Sequence, residues 1–452
     1  MTDLADLAAV ELLAEYRAGA LSPVDVAEAV LARIADREST LQAFYTHDPA
    51  AVRAAAKESE RRWHAGSPQG TLDGIPVTIK ENIATAGTPV PLGSAATELV
   101  PAAEDAPAAA RVREAGAVLL GKTTMPDYGM LTSGLSSFHK TARNPWDTAR
   151  TPGGSSAGAG AAGAAGYGPL HLGTDIGGSV RLPAAYCGLV GLKPSFGRVP
   201  VDPPYIGRVI GPMTKTVADT ALLMGVIAQP DARDHTSLPP ADIPWPDLAV
   251  DPKGLRIGLH LDAGVGLAVE PEIRDAVTEI ARRLADAGAT VAPVAPFVTR
   301  AMLDGLDLFW RTRLWSDLVK YSPERLAKVL PYIVTWARGG AEAGGVDVFR
   351  GFSQIDVMSV AALRATEPYD FVLSPTSPVS AFPAEWASPV NDPEKPFEHI
   401  GFTVPYNMSG QPAVSVDCGR TSEGQPIGLQ VSGRRFDDLG VLRLAALVEQ
   451  VR

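Results

Sequence analysis

The sequence predicts an α/β fold, and three observations carry that prediction. First, Leu255-Arg-Ile-Gly-Leu259 reads as a strand, Pro271 opens a helix with Ile273, Val277, Ile280 and Leu284 on one face, and Thr290-Val-Ala-Pro-Val294 resumes as a strand after Gly288. Strand, helix and strand in that order imply a parallel crossover, because parallel neighbours need a long connection. Second, short apolar runs recur at 75–79, 117–120, 369–373, 413–416 and 427–431 and supply further strands. Third, the 452 residues are 46% hydrophobic and 20% charged, which is material for a large buried core.

Taken in order, residues 1–65 read as a helical layer. Leu4, Leu7, Ala8 and Leu12 lie on one helical face. Ser22-Pro23 is a helix start, with serine as cap and proline at the first helical position, and Val26, Val30 and Ile34 follow at four-residue spacing. Ile75–Ile79 is a β-rich run, and a helical segment over 107–115 leads to the strand at 117–120. Residues 229–254 are rich in proline and aspartate and read as a surface loop between strands of one sheet rather than as a linker. The segment 297–352 gathers Phe297, Phe309, Trp310, Trp315, Tyr321, Tyr332, Trp336, Phe349 and Phe352. It reads equally well as a helical lobe with its own core and as the wall of an apolar pocket.

Composition excludes several classes of function. Lys and Arg number 40 against 51 Asp and Glu, a net charge of −11, so nucleic acid is not an expected partner. Cys187 and Cys418 are far apart and form no CxxC site. The seven histidines form neither HExxH nor HxH, so no metal is expected. The N-terminus is acidic where a secretory signal is basic, and no run of about 18 apolar residues suggests a membrane span. A cytoplasmic location is the expectation.

The Gly/Ala-rich stretch after Pro152 matches two familiar patterns. Gly158-x-Gly160-x-x-Gly163 fits a dinucleotide fingerprint, but no strand precedes it and no acid follows at about 20 residues. Gly154-Ser-Ser156-Ala-Gly158 fits a nucleophile elbow, with Ser156 as nucleophile and His399 as base, in an esterase of the α/β-hydrolase type; that elbow also needs an entering strand.

A third constellation spans three segments: Gly74-Ile-Pro-Val-Thr-Ile-Lys80-Glu-Asn82, Pro152-Gly-Gly-Ser155-Ser156, and Gly173-Thr-Asp-Ile-Gly-Gly-Ser179-Val-Arg181. Alone, each is ordinary: a lysine after a strand is usually exposed, and Gly-Gly-Ser is often a turn. Together, with Asn144-Pro-Trp146, the run from Leu182 to Pro194, Gly211-Pro-Met-Thr-Lys-Thr-Val-Ala-Asp219, Gly410-Gln-Pro-Ala413 and Gly428-Leu-Gln430, they resemble the amidase signature family. The likeness is strong over 70–230, the catalytic signature core, and continues at 400–445; the aromatic-rich segment between is where that family varies.

The resemblance implies one α/β/α domain over 1–452, with a central mixed, mostly parallel twisted sheet covered by helices on both faces. It implies Ser179 as nucleophile, Ser155 as a bridging serine presented through a cis peptide bond, and Lys80 as base. The backbone N–H groups of Ile176, Gly177, Gly178 and Ser179 would form the oxyanion hole, where side chains at 177 and 178 would obstruct the substrate. Ser156, Asp175 and Arg181 would support the site, and Tyr128, Gly129 and Met130 would border the acyl pocket. Ala157 stands where the family usually has glycine, a difference of one methyl.

This chemistry suits an amide, a poor electrophile with a poor leaving group, and it needs no cofactor. A free lysine is only about 0.04% neutral at pH 7, so Lys80 must be buried to act as a base near pH 7–8. The implied activity is hydrolysis of small apolar or aryl amides or of carbamates, which acylate Ser179 by the same step, in a monomer or homodimer. Three alternatives remain at this point. One is the A-type glutaminase component of a tRNA-dependent amidotransferase, against which Ile176 and Leu182 count, since that branch carries threonine and glutamine there. The others are the Ser156 esterase and a non-catalytic binding protein on an amidase scaffold.

Overall fold

Apolar runs with polar residues at their ends become one eleven-stranded sheet in the computed structural model, which describes residues 3–452. The strands are β1 (Phe44–His47), β2 (Pro76–Lys80), β3 (Val118–Thr123), β4 (Leu170–Asp175), β5 (Val190–Lys193), β6 (Val209–Thr214), β7 (Arg256–Leu259), β8 (Thr290–Pro293), β9 (Phe371–Pro375), β10 (Ala413–Arg420) and β11 (Pro426–Gly433). Their spatial order is β1-β3-β2-β4-β6-β5-β10-β11-β9-β7-β8. Every residue of β2, β4, β5, β6, β9 and β11 is buried, as expected of a sheet covered on both faces.

The sheet is mixed, but it is not mostly parallel. Parallel pairing is confined to β3–β2–β4 and to β9–β7–β8, and the other neighbours are antiparallel. The connections explain the correction: β10 and β11 are joined by only the residues 421–425, far too few for a parallel crossover. The β7–helix–β8 unit is parallel, as its sequence pattern predicts.

The helices are α1 (Ala9–Ala18), α2 (Pro23–Leu41), α3 (Pro49–His64), α4 (Pro107–Glu114), α5 (Ala157–Ala165), α6 (Arg181–Cys187), α7 (Val217–Ile227), α8 (Pro271–Asp286), α9 (Arg300–Leu318), α10 (Pro323–Leu326), α11 (Pro331–Arg338), α12 (Gly345–Thr366), α13 (Val404–Met408) and α14 (Asp438–Val451). Ser22 caps α2 as expected, its hydroxyl accepting the Val24 N–H at 2.9 Å. The N-terminal layer departs from the sequence reading twice. A short 3₁₀ turn, Leu4–Asp6, is separate from α1, whose first N–H groups at Ala9 and Val10 donate to the Asp219 carboxylate at 3.0 Å each. The layer also contains β1, where Phe44 stacks on Tyr167 at 5.7 Å between ring centroids.

Residues 229–254 contain no helix or strand, and strands on both sides of them join the same sheet. The aromatic-rich segment packs as α9 to α12 around its own core, centred on Leu306, Trp310, Leu314, Ile333, Trp336 and Met358. Of its aromatics, Phe349 is exposed and Trp310 reaches the cleft described next.

Candidate active site

Parallel pairing of β2 with β4 sets Ile79 beside Leu172, so Lys80 and Thr174 leave the sheet at the same end. Open α/β sheets bind ligands at that carboxyl end of parallel strands. There Lys80 Nζ bonds to three hydroxyls: Ser155 Oγ at 2.8 Å, Thr174 Oγ1 at 2.9 Å and Ser156 Oγ at 3.1 Å. Ser155 and Ser156 immediately precede α5, and the Gly154–Ser155 peptide bond is cis. Only small residues let α5 lie this close: a Cβ on Gly158 would sit 2.2 Å from the Ala43 carbonyl oxygen. Ala157, the departure from the family pattern, is buried without disturbing the helix.

No carboxylate bonds to Lys80. Its neighbour Glu81 turns instead to the Gly93 N–H and to His139 Nε2. Complete burial lowers the Lys80 pKa to about 7, with Arg208 acting in the same direction and Glu81 and Asp175 opposing. The N-terminal end of α5 adds positive potential beside the amine, which also favours the neutral form.

Residues 176–180 turn between β4 and α6 under the control of a buried ion pair. Arg181 grips Asp175 through Nε at 3.0 Å and Nη2 at 2.9 Å. The same carboxylate accepts the N–H groups of Gly178 at 2.8 Å and Val180 at 3.1 Å. Burial would raise the Asp175 pKa, but Arg181 and Asn407 outweigh it and hold the carboxyl far below its usual range. Arg181 is held in turn by Gln430 Oε1 at 2.7 Å, the Thr403 carbonyl at 2.9 Å and Asn407 Oδ1 at 2.6 Å. Asn144 ties the Ser155 loop to α6 by donating to the Thr151 and Tyr186 carbonyls.

One of the N–H groups expected in the oxyanion hole is already taken within the protein: that of Gly178 donates to the Asp175 carboxylate at 2.8 Å. Gly178 is required for another reason: its φ is +126°, and a Cβ there would sit 2.8 Å from Leu182 and Thr403. Within the protein Gly177 has room, since a Cβ would meet Trp310 and Ile400 at 3.5 and 3.6 Å, ordinary contact distances.

Ser179 is half-buried and lines a narrow cleft together with Ser155, Asn82, Thr174, Ile176, Tyr128, Gly129, Met130, Trp310, Arg208 and Arg313. The three residues expected at the pocket, Tyr128, Gly129 and Met130, are all on its wall. The Ser179 hydroxyl stands outside the set bonded to Lys80. A small adjoining chamber is mainly apolar, with Leu131, Leu182, Phe397 and Ile400 joining Met130, Ile176 and Trp310.

The elbow reading brings no pair together. His399 Nε2 bonds to Thr132 Oγ1 at 2.6 Å, whereas Ser156 is held by Lys80 and by the Thr174 backbone. Gly158, Gly160 and Gly163 lie inside α5 with no strand leading in. Sequence reasoning assigns no role to Thr174 or Asn82, whose Nδ2 donates to Thr174 Oγ1 at 3.1 Å, although both lie within the quoted motifs. It also misses Arg208, Arg313, Leu131, Leu182, Phe397 and Ile400, which belong to no motif pattern that marks a pocket.

The described residues contain no group of three or more His, Cys, Asp or Glu side chains arranged to hold a metal ion. No helix among them is long and apolar enough to cross a membrane. The Amidase family model matches residues 25–442. The chain is 37% identical to the A-type component of the glutamyl-tRNA(Gln) amidotransferase of Myxococcus xanthus, covering 99% of this chain and 97% of that one. It is 34% identical to an acylamidase of Rhodococcus erythropolis, over 99% of this chain and 95% of the relative. Among solved structures, a bacterial aryl acylamidase of the amidase signature family superposes with a TM-score of 0.90 at 29% identity, covering 98% and 96% of the two chains. A 6-aminohexanoate cyclic dimer hydrolase follows at 0.89 and 26% identity, covering 100% and 97%. A buried lysine among serine hydroxyls, the motifs that carry it and these likenesses lead to one assignment: the chain belongs to the amidase signature family of amide hydrolases.

Proposed function

We propose that this protein hydrolyses small amides bearing an apolar or aryl group, and carbamates of the same shape, through an acyl-enzyme on Ser179. The observation that carries the reading is a completely buried Lys80, its pKa lowered to about 7, bonded to Ser155 at 2.8 Å with no carboxylate attached. About half of such a lysine is neutral at pH 7. Ser179 Oγ attacks the carbonyl carbon as its proton passes to Ser155 and the Ser155 proton passes to Lys80 Nζ. The oxyanion takes N–H bonds from Ile176, Gly177 and Ser179, each worth roughly 2.7–4 kcal/mol in comparable sites. On collapse the C–N bond breaks, and the Lys80 proton returns through Ser155 to the leaving nitrogen. Water then releases the acid by the same relay. The relay requires a Ser155–Ser179 hydrogen bond that forms when substrate fills the cleft, as catalytic hydrogen bonds often tighten only in the complex.

The apolar chamber beside Ser179 supports an apolar or aryl substrate group. The 37% identity to the A-type component of an amidotransferase favours a second reading, a glutaminase working within an assembly. Incubating the isolated chain with anilides, aliphatic amides, carbamates and glutamine, beside a Ser179→Ala control, separates them. Anilide or carbamate turnover lost in the control supports the first reading; glutamine turnover alone, and only with the other components of an amidotransferase added, supports the second.

A further inference from the structure

The lining of the cleft around Ser179 is of two kinds. Besides the apolar residues, the cleft is lined by Arg208, from the loop entering β6, and Arg313, from α9. Both guanidinium groups lie against the Tyr205 ring, at 5.2 Å and 4.8 Å from its centroid. Among the described residues neither arginine has an ion-pair partner. The side chain of Arg208 reaches only the Pro203 carbonyl, at 3.5 Å. Arg313 Nη2 lies 3.8 Å from Met130 Sδ, and its Nε is buried without a partner. Arg311, two residues earlier on the same helix, shows the usual arrangement: it pairs with Asp307 and Glu394.

Two half-buried guanidinium groups against one ring without a counter-ion are costly, and a protein normally supplies a carboxylate. Burial and the Arg313 charge lower the Arg208 pKa, which reflects that cost. Fork-shaped donors on two elements fit a planar carboxylate, which each can hold with two parallel bonds. We propose that the amide cleaved at Ser179 carries a carboxylate, bound by Arg208 and Arg313 where they line the same cleft as Ser179. The inference rests on the reading of Ser179 as the reacting centre and narrows its substrate to amphipathic acids: an apolar group, a scissile amide and an anionic end.

Matched pairs test it. N-benzoylglycine against N-benzoylglycinamide places the carboxylate beyond the nitrogen; the mono-anilide of succinic acid against its terminal carboxamide places it beyond the carbonyl. Calorimetric binding to the Ser179→Ala protein is expected to favour the acid of at least one pair by about tenfold or more, in the range of a charge-assisted hydrogen bond. That preference should vanish in Arg313→Gln and Arg208→Gln made in the same background and partly return in Arg313→Lys. Thermal melts check that each variant is folded. No preference in either pair, no binding of either acid, or a preference that survives both glutamine variants overturns the proposal. Turnover by the unsubstituted enzyme tells the two readings apart. Cleavage without preference sinks only the carboxylate, and a preference without cleavage sinks only the hydrolase.

Discussion

In the proposed mechanism Lys80 is the base on which the chemistry turns. It ends a strand whose Val77 and Ile79 are wholly buried, and this burial is what lowers its pKa to about 7. The sign of the consequence is fixed: a base works only when unprotonated, so kcat/KM should be level above about pH 7 and fall about tenfold per unit below it. Lys80→Met should abolish that limb together with most of the activity. Ser155→Ala should cost roughly 10²- to 10⁴-fold in kcat, the usual worth of positioned proton transfer, whereas His399→Ala should leave the pH profile in place. A profile governed by a group near pH 10 would remove Lys80 from the role of base. At this scale the sequence is legible where residues recur in fixed company. Lys80, Ser155 and Ser179 stand in three recognisable segments. Arg208, Arg313 and Trp310 are single letters on a loop and a helix, and only folding brings them to one cleft.

The turn between β4 and α6 is the element that shapes the site, and its two glycines do different work. An added methyl at Gly178 meets Leu182 and Thr403 at 2.8 Å in a backbone conformation that only glycine adopts freely, so Gly178→Ala should lower the melting temperature as well as turnover. Gly177→Ala has room against Trp310 and Ile400 and should melt as the parent does, while the methyl narrows the cleft and raises KM. Melting curves and steady-state kinetics on both variants check this split; equal stability losses would mean that the turn tolerates neither. The motif from Gly177 to Arg181 marks this turn in the sequence, but it does not reveal why 178 is glycine. The bond from the Gly178 N–H to Asp175 is a tertiary detail with no sequence pattern. Strand β4, which launches the turn, is not legible either, because Leu-His-Leu-Gly-Thr-Asp alternates neither like a half-buried strand nor like a helix face.

For the whole molecule, the crossover at 255–294 is readable because long, well-patterned elements leave one connection open to them, whereas the antiparallel centre depends on pairings between distant segments. That centre also buries a second charged group. Lys193, at the end of β5, is fully enclosed, donates to the Pro194 carbonyl at 2.8 Å, and has its pKa lowered to about 7. Burial is the main cause and Arg181 adds to it; Asp175 and Asp438 oppose. Below about pH 7 the folded and unfolded chains both carry the proton, and the fold bears the cost of a buried ammonium. Between about 7 and the ordinary lysine value near 10.4, the unfolded chain keeps a proton that the folded chain has released. Stability from this group therefore rises with pH across that window, by on the order of 1 kcal/mol per pH unit at most. Lys193→Met removes the titration and keeps most of the apolar stem. The variant should melt above the parent at about pH 7, and the gap should narrow by about pH 8.5; the free cysteines of the unfolded chain titrate in this window in both proteins and cancel in the difference. Lys80 and Lys122, whose pKa values burial also lowers to about 7, titrate in both proteins and cancel in the difference. A gap that stays constant between the two pH values, or a variant less stable at both, would mean that Lys193 does not release its proton on folding.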